Sequence, residues 1–360
     1  MTAAMERGVQ RTNIGSDEMQ TAEHVALEAV CLAEENGETL WRTPLFEIDK
    51  PDPVHWYNSW ATPTPVAEPG RVYCDFGTMG TACLDAKTGK ILWQTRLPLD
   101  HQVGPGSSLV IWKNLLILVR DGRDAQYITA LDKQTGQKVW RADRPPIEAG
   151  SGNLKKSFVT PLVVTDSSRA QLISPCAHWL VSYDPLTGNE LWRVRHGEGF
   201  SIGSCPVFSR GLAIFSTGCF KPQFLAVRVD GQGDVTTTHI AWKTMKQVPV
   251  MSSPVIAGDE MYWVSDEGMA TCAQVQTGEI FWQERLNGLH LASPLLADGR
   301  VYFFGKEGKT TVVKAGKTFT KLAENQLEGP LIATPAILDR TVLVRTDSYL
   351  YKVGNRNFVE

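Results

Sequence analysis

The stretch that decides the fold is Leu84-Asp85-Ala86-Lys87-Thr88-Gly89-Lys90-Ile91-Leu92-Trp93. Its ending, a Thr-Gly step with a tryptophan four residues after the glycine, recurs along the chain in strict or looser copies. These copies end at Trp41, Trp93, Trp140, Trp192, Trp242 and Trp282. Successive tryptophans are 52, 47, 52, 50 and 40 residues apart. Such a period is typical of repeat folds, in which each repeat is one supersecondary unit.

Each residue type in this ending has a physical reason to be there. Asp and Thr side chains hydrogen-bond the backbone of a tight turn, and Gly adopts the positive φ that the turn needs. The tryptophan then lies on the following strand, where its ring can fill the gap between neighbouring sheets.

A second anchor recurs out of phase with the first. A proline is followed eight residues later by an apolar residue, as from Pro65 to Tyr73 and from Pro254 to Tyr262. The anchor positions are Pro65, Ser108 in place of a proline, Pro161, Pro206, Pro254, Pro294 and Pro335. Between the anchors lie short segments rich in β-branched and aromatic residues, such as residues 300–304. The spacing therefore predicts an all-β chain, a β-propeller of four-stranded blades.

Composition excludes several other classes of protein. The chain has 360 residues, of which 42% are hydrophobic and 21% charged, and its net charge is −3 with scattered basic residues. A nucleic-acid footprint and a membrane span are therefore not expected. Residues 1–20 are polar and contain no apolar signal-peptide core. The seven cysteines and seven histidines lack the C-x-x-C and H-x-x-x-H spacings of metal or haem sites.

The quoted stretch resembles the tryptophan-docking motif of pyrroloquinoline-quinone (PQQ)-type propeller repeats. Longer stretches resemble a bacterial, planctomycete-type family of exported PQQ-like repeat proteins, within the quinoprotein alcohol dehydrogenase-like superfamily. They are residues 58–65, 80–85, 104–108, 231–243 and 322–325. The resemblance covers residues 26–353. It implies an eight-bladed propeller and an extracytoplasmic location, and it assigns no defined activity.

The repeats define six complete blades, with a partial blade at each end of the series. The blades are predicted at about 58–97, 104–144, 156–196, 200–246, 249–287 and 289–328. Residues 329–354 supply three strands, at 331–337, 341–346 and 349–353, and residues 25–45 supply the last two strands of another blade. We therefore divide the chain into a flexible strand remnant and polar insertion at 1–23 and a single propeller domain at 24–356.

Two arrangements of the incomplete blades remain open. In the first, Met1 is not the natural start, and an eight-bladed ring is completed by preceding residues that also hold any export signal. In the second, residues 25–45 pair with residues 329–354 in a compact ring of seven blades. An incomplete ring would leave unpaired strand edges, which proteins normally cover.

A quinone-dependent dehydrogenase is the enzyme class that the resemblance suggests first. Enzymes of that kind hold the quinone between a tryptophan and a disulfide of two adjacent cysteines, with calcium bound by carboxylates and amides. This sequence has no Cys-Cys pair, and its nearest cysteines, Cys74 and Cys83, are nine residues apart. No cofactor, metal site or catalytic residue is therefore predicted.

The tryptophans and the inner strands supply the remaining candidate residues. The six repeat tryptophans are predicted to dock between blades, whereas Trp56 and Trp60 form an aromatic cluster with Tyr57 on a loop. That cluster could anchor a partner or a sugar, or it could pack between blades. Small polar residues beside the proline anchor are predicted to line a central funnel, namely Thr62, Ser107, Ser204, Ser253, Ser293 and Thr334.

Taken together, these features favour a non-catalytic binding or scaffold protein. Its partner would be a protein, a small molecule or a glycan, with no nucleic acid. The alternatives are a quinoprotein-type oxidoreductase and the sensor domain of a larger signalling protein.

Overall fold

The computed structural model describes residues 1–15, 17–166 and 169–354, and nearly all of its regular structure is β-strand. The chain divides into two compact units, residues 1–201 and a second unit that begins at Ile202. The predicted single domain, 24–356, spans both units, and its last two residues lie outside the described part. Its boundaries remain a prediction.

The first unit contains eighteen strands and two short 3-10 helices, Gly77–Met79 and Gly152–Lys155. The strands are β1 (Thr2–Arg7), β2 (Gln10–Ile14), β3 (Asp17–Thr21), β4 (His24–Leu32), β5 (Thr39–Asp49), β6 (Val54–His55), β7 (Val66–Glu68), β8 (Arg71–Asp75), β9 (Thr81–Asp85), β10 (Ile91–Thr95), β11 (Val110–Trp112), β12 (Leu115–Asp121), β13 (Gln126–Asp132), β14 (Lys138–Asp143), β15 (Leu162–Asp166), β16 (Arg169–Cys176), β17 (Trp179–Tyr183) and β18 (Glu190–Arg195).

The second unit contains the remaining strands. They are β19 (Val207–Ser209), β20 (Leu212–Ser216), β21 (Phe224–Arg228), β22 (Gly233–Asp234), β23 (Ile240–Thr244), β24 (Val255–Ala257), β25 (Glu260–Val264), β26 (Met269–Gln274), β27 (Ile280–Arg285), β28 (Leu295–Ala297), β29 (Arg300–Phe304), β30 (Lys309–Lys314), β31 (Lys321–Gln326), β32 (Ala336–Leu338), β33 (Thr341–Arg345) and β34 (Leu350–Gly354).

Strands that follow one another in the chain pair antiparallel and form four-stranded sheets in both units. In the first unit these are β7–β10 and β11–β14, and in the second they are β19–β20–β21–β23, β24–β27 and β28–β31. The strands β15–β18 pair in the same consecutive antiparallel order. The strands β1, β4 and β5 form a sheet of three, as do β32–β34. This repeated four-strand meander is the blade of a propeller and confirms the predicted fold class. The number of blades remains a prediction.

The apolar cores lie between successive sheets. One core in the first unit joins Ile117 and Ile128 of β12 and β13 to Leu172 and Val181 of β16 and β17. One in the second unit joins Val264 of β25 to Phe303 of β29. The middle strands are thus buried on both faces, so they are nearly continuous apolar runs instead of alternating patterns.

The repeated Asp-x-x-Thr-Gly step forms the turn between the third and fourth strands of each sheet that carries it. In the β13–β14 turn, Asp132 Oδ1 accepts hydrogen bonds from the backbone N–H groups of Gln134 and Thr135, at 3.0 and 2.9 Å. Gly136 follows with φ of +73°. The turn chemistry is therefore the one that the sequence pattern indicates.

The tryptophan of one sheet lies on the Thr-Gly turn of the next. Trp93 Nε1 donates to the carbonyl of Lys133 at 3.1 Å, and a Cβ on Gly136 would come within 2.6 Å of the indole ring. Trp41 donates to Ala86 at 3.1 Å, and Trp242 donates to Val275 at 2.9 Å. Only a glycine leaves room for the ring at this position.

The other three repeat tryptophans depart from this scheme in different ways. Trp140 lies on Gly188, within 2.5 Å of where a Cβ would be, and its buried Nε1 has no hydrogen-bond partner among the described residues. Trp282 donates to the carbonyl of Gly316 at 3.0 Å. Trp192 donates to the side chain of Gln171 in its own sheet, at 2.7 Å.

Two segments differ from the predicted layout. The strand expected at 331–337 begins at Ala336, because the N–H of Leu331 donates to Lys306 in a loop contact and Pro335 has no N–H for a ladder. At the other end, β1 pairs with β4, and β2 and β3 form a hairpin that extends through β6.

Candidate functional site

The inner edges of the sheets carry a row of hydroxyl groups that join one sheet to the next. In the first unit, the backbone N–H of Thr64 donates to Ser108 Oγ at 2.9 Å. The N–H of Ser108 donates in turn to Thr160 Oγ1 at 3.0 Å. Each residue stands two positions before the first strand of its sheet, so one side chain closes the contact between two neighbouring inner strands.

The second unit repeats this arrangement three times. The N–H of Cys205 donates to Ser253 Oγ at 2.9 Å, the N–H of Ser253 to Ser293 Oγ at 2.8 Å, and the N–H of Ser293 to Thr334 Oγ1 at 2.9 Å. We call Ser108, Thr160, Ser253, Ser293 and Thr334 the hydroxyl row. In each step the earlier sheet supplies the N–H and the later sheet supplies the oxygen.

The predicted funnel residues fall into two groups. Ser253, Ser293 and Thr334 belong to the hydroxyl row, with Ser253 and Ser293 half-buried and Thr334 exposed. The other three lie one or two residues before Thr64, Ser108 and Cys205, which make these contacts. Thr62 is exposed and bonds Asn58 and Ser59. Ser107 is buried, and Ser204 is fully buried with no partner for its hydroxyl among the described residues. Sequence reasoning missed Thr64, Ser108, Thr160 and Cys205. The position immediately before the proline anchor would have identified three of these four.

A pair of buried charges links the sheets β7–β10 and β11–β14. Arg120 on β12 donates two hydrogen bonds to Asp75 on β8, at 2.7 and 3.1 Å, and both side chains are about 1–2% exposed. Thr81 Oγ1 donates to the same carboxylate at 2.6 Å. A bidentate pair of this kind holds both partners in one geometry.

The next residue along β12 makes a second buried pair on the opposite face of the sheet. Asp121 accepts from Arg144 Nε and Nη2 at 3.0 and 2.9 Å, and Arg144 also donates to Ser174 Oγ at 2.8 Å. Burial raises the pKa of the Asp121 carboxyl, and the adjacent guanidinium opposes that rise. These charges serve packing between sheets and are closed to solvent.

His101 lies beside the Arg120 pair, on the connection between β10 and β11. It is 7% exposed, and neither ring nitrogen has a hydrogen-bond partner among the described residues. Burial, aided by the nearby Arg120 charge, lowers the pKa of His101 to about 4. The ring is therefore neutral at physiological pH, and it packs where a Cβ on Gly77 would come within 2.7 Å of Nε2.

An open polar cavity of about 310 Å³ lies near His101 in the first unit. Its lining is Asp100, Arg123, Asp124, Ser151, Gly152 and Asn153. Arg123 Nε donates to Asp100 at 2.9 Å, so the one cation of the lining is already paired. Among the described residues, no group of three or more His, Cys, Asp or Glu side chains is placed to hold a metal ion.

The predicted aromatic cluster is only partly packed. Trp60 is 1% exposed and donates to the carbonyl of Asp52 at 2.9 Å, so it belongs to the core. Trp56 and Tyr57 are half-buried with ring centroids 3.5 Å apart, and the Arg11 guanidinium lies 5.6 Å from the Trp56 ring.

The family model described as outer membrane protein assembly factor BamB matches residues 27–194 and 176–324. The chain belongs to this family of PQQ-type repeats. The predicted resemblance is therefore confirmed at the level of the repeat.

Two solved structures support the BamB-type fold. BamB from Moraxella catarrhalis superposes with a TM-score of 0.65 at 13% identity, covering 100% of this chain and 98% of the other. Quinohemoprotein alcohol dehydrogenase from Comamonas testosteroni superposes with a TM-score of 0.62 at 13% identity, covering 94% of this chain and 70% of the other. At these identities the likeness concerns the fold alone.

A curated enzyme matches part of the chain by sequence. It is the quinohemoprotein alcohol dehydrogenase ADH-IIG from Pseudomonas putida, 26% identical over 140 residues. The match covers 36% of this chain and 19% of the dehydrogenase, less than one fifth of that enzyme's length.

The cysteines of this BamB-family chain do not fit a quinone site of the dehydrogenase type. All seven are free thiols. In the β8–β9 ladder, Cys83 is opposite Tyr73 and Cys74 is opposite Ala82, so the two sulfurs lie on opposite faces of the sheet. Cys74 packs in one core and Cys83 in another. A disulfide between them would need the backbone to move.

Proposed function

We propose that this protein is a non-catalytic binding and scaffold propeller that acts outside the cytoplasm and holds a protein partner. The hydroxyl row is the observation that carries the proposal. Side chains that could have lined a reactive funnel, such as Ser253 and Ser293, instead accept backbone hydrogen bonds from the neighbouring sheet. Their oxygens contribute to the framework.

The other chemically capable side chains have similar structural positions. The carboxylates of Asp75 and Asp121 are neutralised by arginines in the interior, and the neutral His101 is closed to solvent. Buried charges that are paired and hydrogen-bonded hold a structure together and offer little to a substrate. The described part of the chain also has no helix that could cross a bilayer.

The description of the matched family supports a scaffold role and an extracytoplasmic location. The matched family is described as an outer membrane protein assembly factor, and assembly of that kind takes place outside the cytoplasm. We extend the scaffold role and the extracytoplasmic location to this chain as part of the proposal, while its partner stays unnamed.

Site-directed photo-crosslinking in the native host tests the proposal. A photoreactive amino acid would replace Leu154 or Leu289, which are exposed on connections between sheets, and Leu92, which is exposed on an outer strand, would serve as the control. We expect a discrete adduct from a connection position that re-forms with the purified partner. Saturable pyrroloquinoline quinone absorbance together with dye reduction in the presence of calcium would overturn the proposal.

A further inference from the structure

Three successive connections of the second unit share a short pattern just before the inner strand. An apolar residue is followed by a small residue, then by a serine or threonine, and then by proline. The three copies are Met251-Ser252-Ser253-Pro254, Leu291-Ala292-Ser293-Pro294 and Ile332-Ala333-Thr334-Pro335. We call Met251, Leu291 and Ile332 the apolar row.

The apolar row is contiguous, because the residues two positions later are hydrogen-bonded to one another. The Ser253–Ser293 and Ser293–Thr334 contacts, at 2.8 and 2.9 Å, bring consecutive connections side by side. The equivalent position in the preceding sheet shows the spacing directly. A Cβ on Gly203 would lie 3.5 Å from Met251 Sδ, which is van der Waals contact.

Two members of the apolar row are exposed and the third, Leu291, is half-buried, although the residues around them are packed. Met251 is 44% exposed and Ile332 is 42% exposed, whereas Ser252 and Leu331 beside them are fully buried. Leu289 on the same connections is 38% exposed. Large apolar side chains aligned at one position of successive repeats are not the scattered single residues of an ordinary surface.

Carboxylates surround the row on the turns between second and third strands. A Cβ on Gly288 would lie 2.7 Å from Glu307 Oε2, and one on Gly329 would lie 2.6 Å from Asp347 Oδ1, so each carboxylate lies over the connection before it. Asp266 Oδ1 accepts from the N–H groups of Val250 and Met251 at 3.0 and 3.3 Å.

The charge balance of this surface is acidic. The three connections and the turns that follow them carry five carboxylates and two lysines. The carboxylates are Asp266, Glu267, Glu307, Glu328 and Asp347, and the lysines are Lys246 and Lys306. All of these carboxylates except Asp266 are exposed. We call Glu267, Glu307, Glu328 and Asp347 the acidic rim.

We infer that the apolar row and its acidic rim form a docking surface for a cationic amphipathic segment of a partner protein. Apolar side chains of the segment pack on Met251, Leu291 and Ile332, and its lysines or arginines meet the rim. An anionic lipid surface and a second copy of this chain are both disfavoured, because each would bring negative charge to the rim. The inference rests on the proposed scaffold function and names its surface.

Fluorescence anisotropy of a labelled 14-residue Leu/Lys amphipathic peptide tests the inference on the full chain. A Leu/Glu peptide with the same spacing is the charge control. We expect the Leu/Lys peptide to bind, with affinity that falls as salt rises, and the Leu/Glu peptide to bind at least about tenfold more weakly because screening and charge sign govern rim contacts.

Variants locate the peptide on the surface. M251S/I332S should weaken binding about tenfold or more, since two apolar contacts are lost. E307Q/D347N should weaken it and flatten its salt dependence. The matched control is I280S/L322S, which removes two apolar side chains of similar exposure (37% and 48%) from the outer strands β27 and β31. This control should bind as the parent does.

Three results would overturn the inference. The first is that the Leu/Lys peptide does not bind, and the second is that M251S/I332S and I280S/L322S lose equal affinity for it. The third is that the chain sediments with phosphatidylglycerol vesicles in a way that depends on the apolar row. The proposed function is judged separately. A partner crosslinked from another connection would leave the scaffold role standing while this surface fails, and a chain with quinone-dependent turnover would remove both.

Discussion

The indole ring of Trp93 lies against the backbone of Gly136, one sheet further along the chain, where a Cβ would come within 2.6 Å of the ring. The same contact joins Trp41 to Gly89 and Trp242 to Gly278, at 2.7 and 2.9 Å. Two features of the repeat that seem separate in the sequence, the turn glycine and the tryptophan, are thus the two halves of one contact between neighbouring sheets.

Replacing Gly136 by alanine tests this contact. We expect G136A to lower the free energy of unfolding by about 2–4 kcal/mol, because positive φ adds strain and the new methyl group displaces the ring. G70A is the matched control, since Gly70 has φ of +83° and nothing within 4 Å of its Cβ position. G70A should lower the free energy of unfolding by about 1 kcal/mol, from backbone strain alone. Equal losses in denaturant titrations would show that the ring contact contributes nothing.

The hydroxyl row gives a second prediction. S293A removes the acceptor of the Ser253 N–H, so we expect a loss of about 1–2 kcal/mol in the free energy of unfolding. S293T keeps an oxygen and should recover much of that loss. S204A should be neutral or slightly stabilising, because the buried Ser204 hydroxyl has no partner among the described residues. A destabilised S204A would contradict this division of roles.

The buried pair Asp121–Arg144 gives a third prediction. R144M should lower the free energy of unfolding by about 3–5 kcal/mol, because it leaves an uncompensated carboxylate in the interior. D121L/R144M should recover part of that loss. R300Q is the control, since the Arg300–Asp298 pair is exposed on both sides and should contribute nothing measurable. The interpretation fails if the single and double variants unfold at the same denaturant concentration as the parent.

His101 gives a prediction about pH. Its pKa of about 4 in the folded chain lies below the ordinary value of 6.5. Below pH 6.5 His101 therefore binds a proton in the unfolded chain but not in the folded chain. The free energy of unfolding falls by about 3 kcal/mol in all between pH 6.5 and about pH 4. H101L should remove this part of the acid dependence. Above pH 7 this site should contribute no pH dependence to the free energy of unfolding. An NMR titration that finds the His101 ring protonating near pH 6.5 would rule the mechanism out.

The fold could be predicted from the sequence because both partners of the docking contact belong to short local sequence patterns. The Thr-Gly step and the tryptophan four residues later are close in sequence and recur, so the four-stranded unit follows from turn chemistry and spacing alone. The same holds for the proline anchor, which marks the start of each inner strand.

The candidate site could be predicted only in part, because its contacts join distant residues. Arg120 and Asp75 are 45 positions apart, and in the strand that carries Arg120 all the residues before it are apolar. Ser107 and Ser108 are both small and polar, yet successive side chains on an extended chain point in opposite directions. Only the neighbouring sheet determines that Ser108 is the acceptor, and the donor on that sheet, Thr64, is 44 residues away.

The hydroxyl row also has a polarity, since every step runs from the N–H of one repeat to the oxygen of the following repeat. A repeat that brings both groups can be duplicated or deleted as a whole, and the junction that results is chemically the same as the one it replaces. Gene-level gain and loss of repeats would thus leave no orphaned donor at the inner edge. This interchangeability offers a physical account of how one blade sequence can be copied into arrays of different length during evolution.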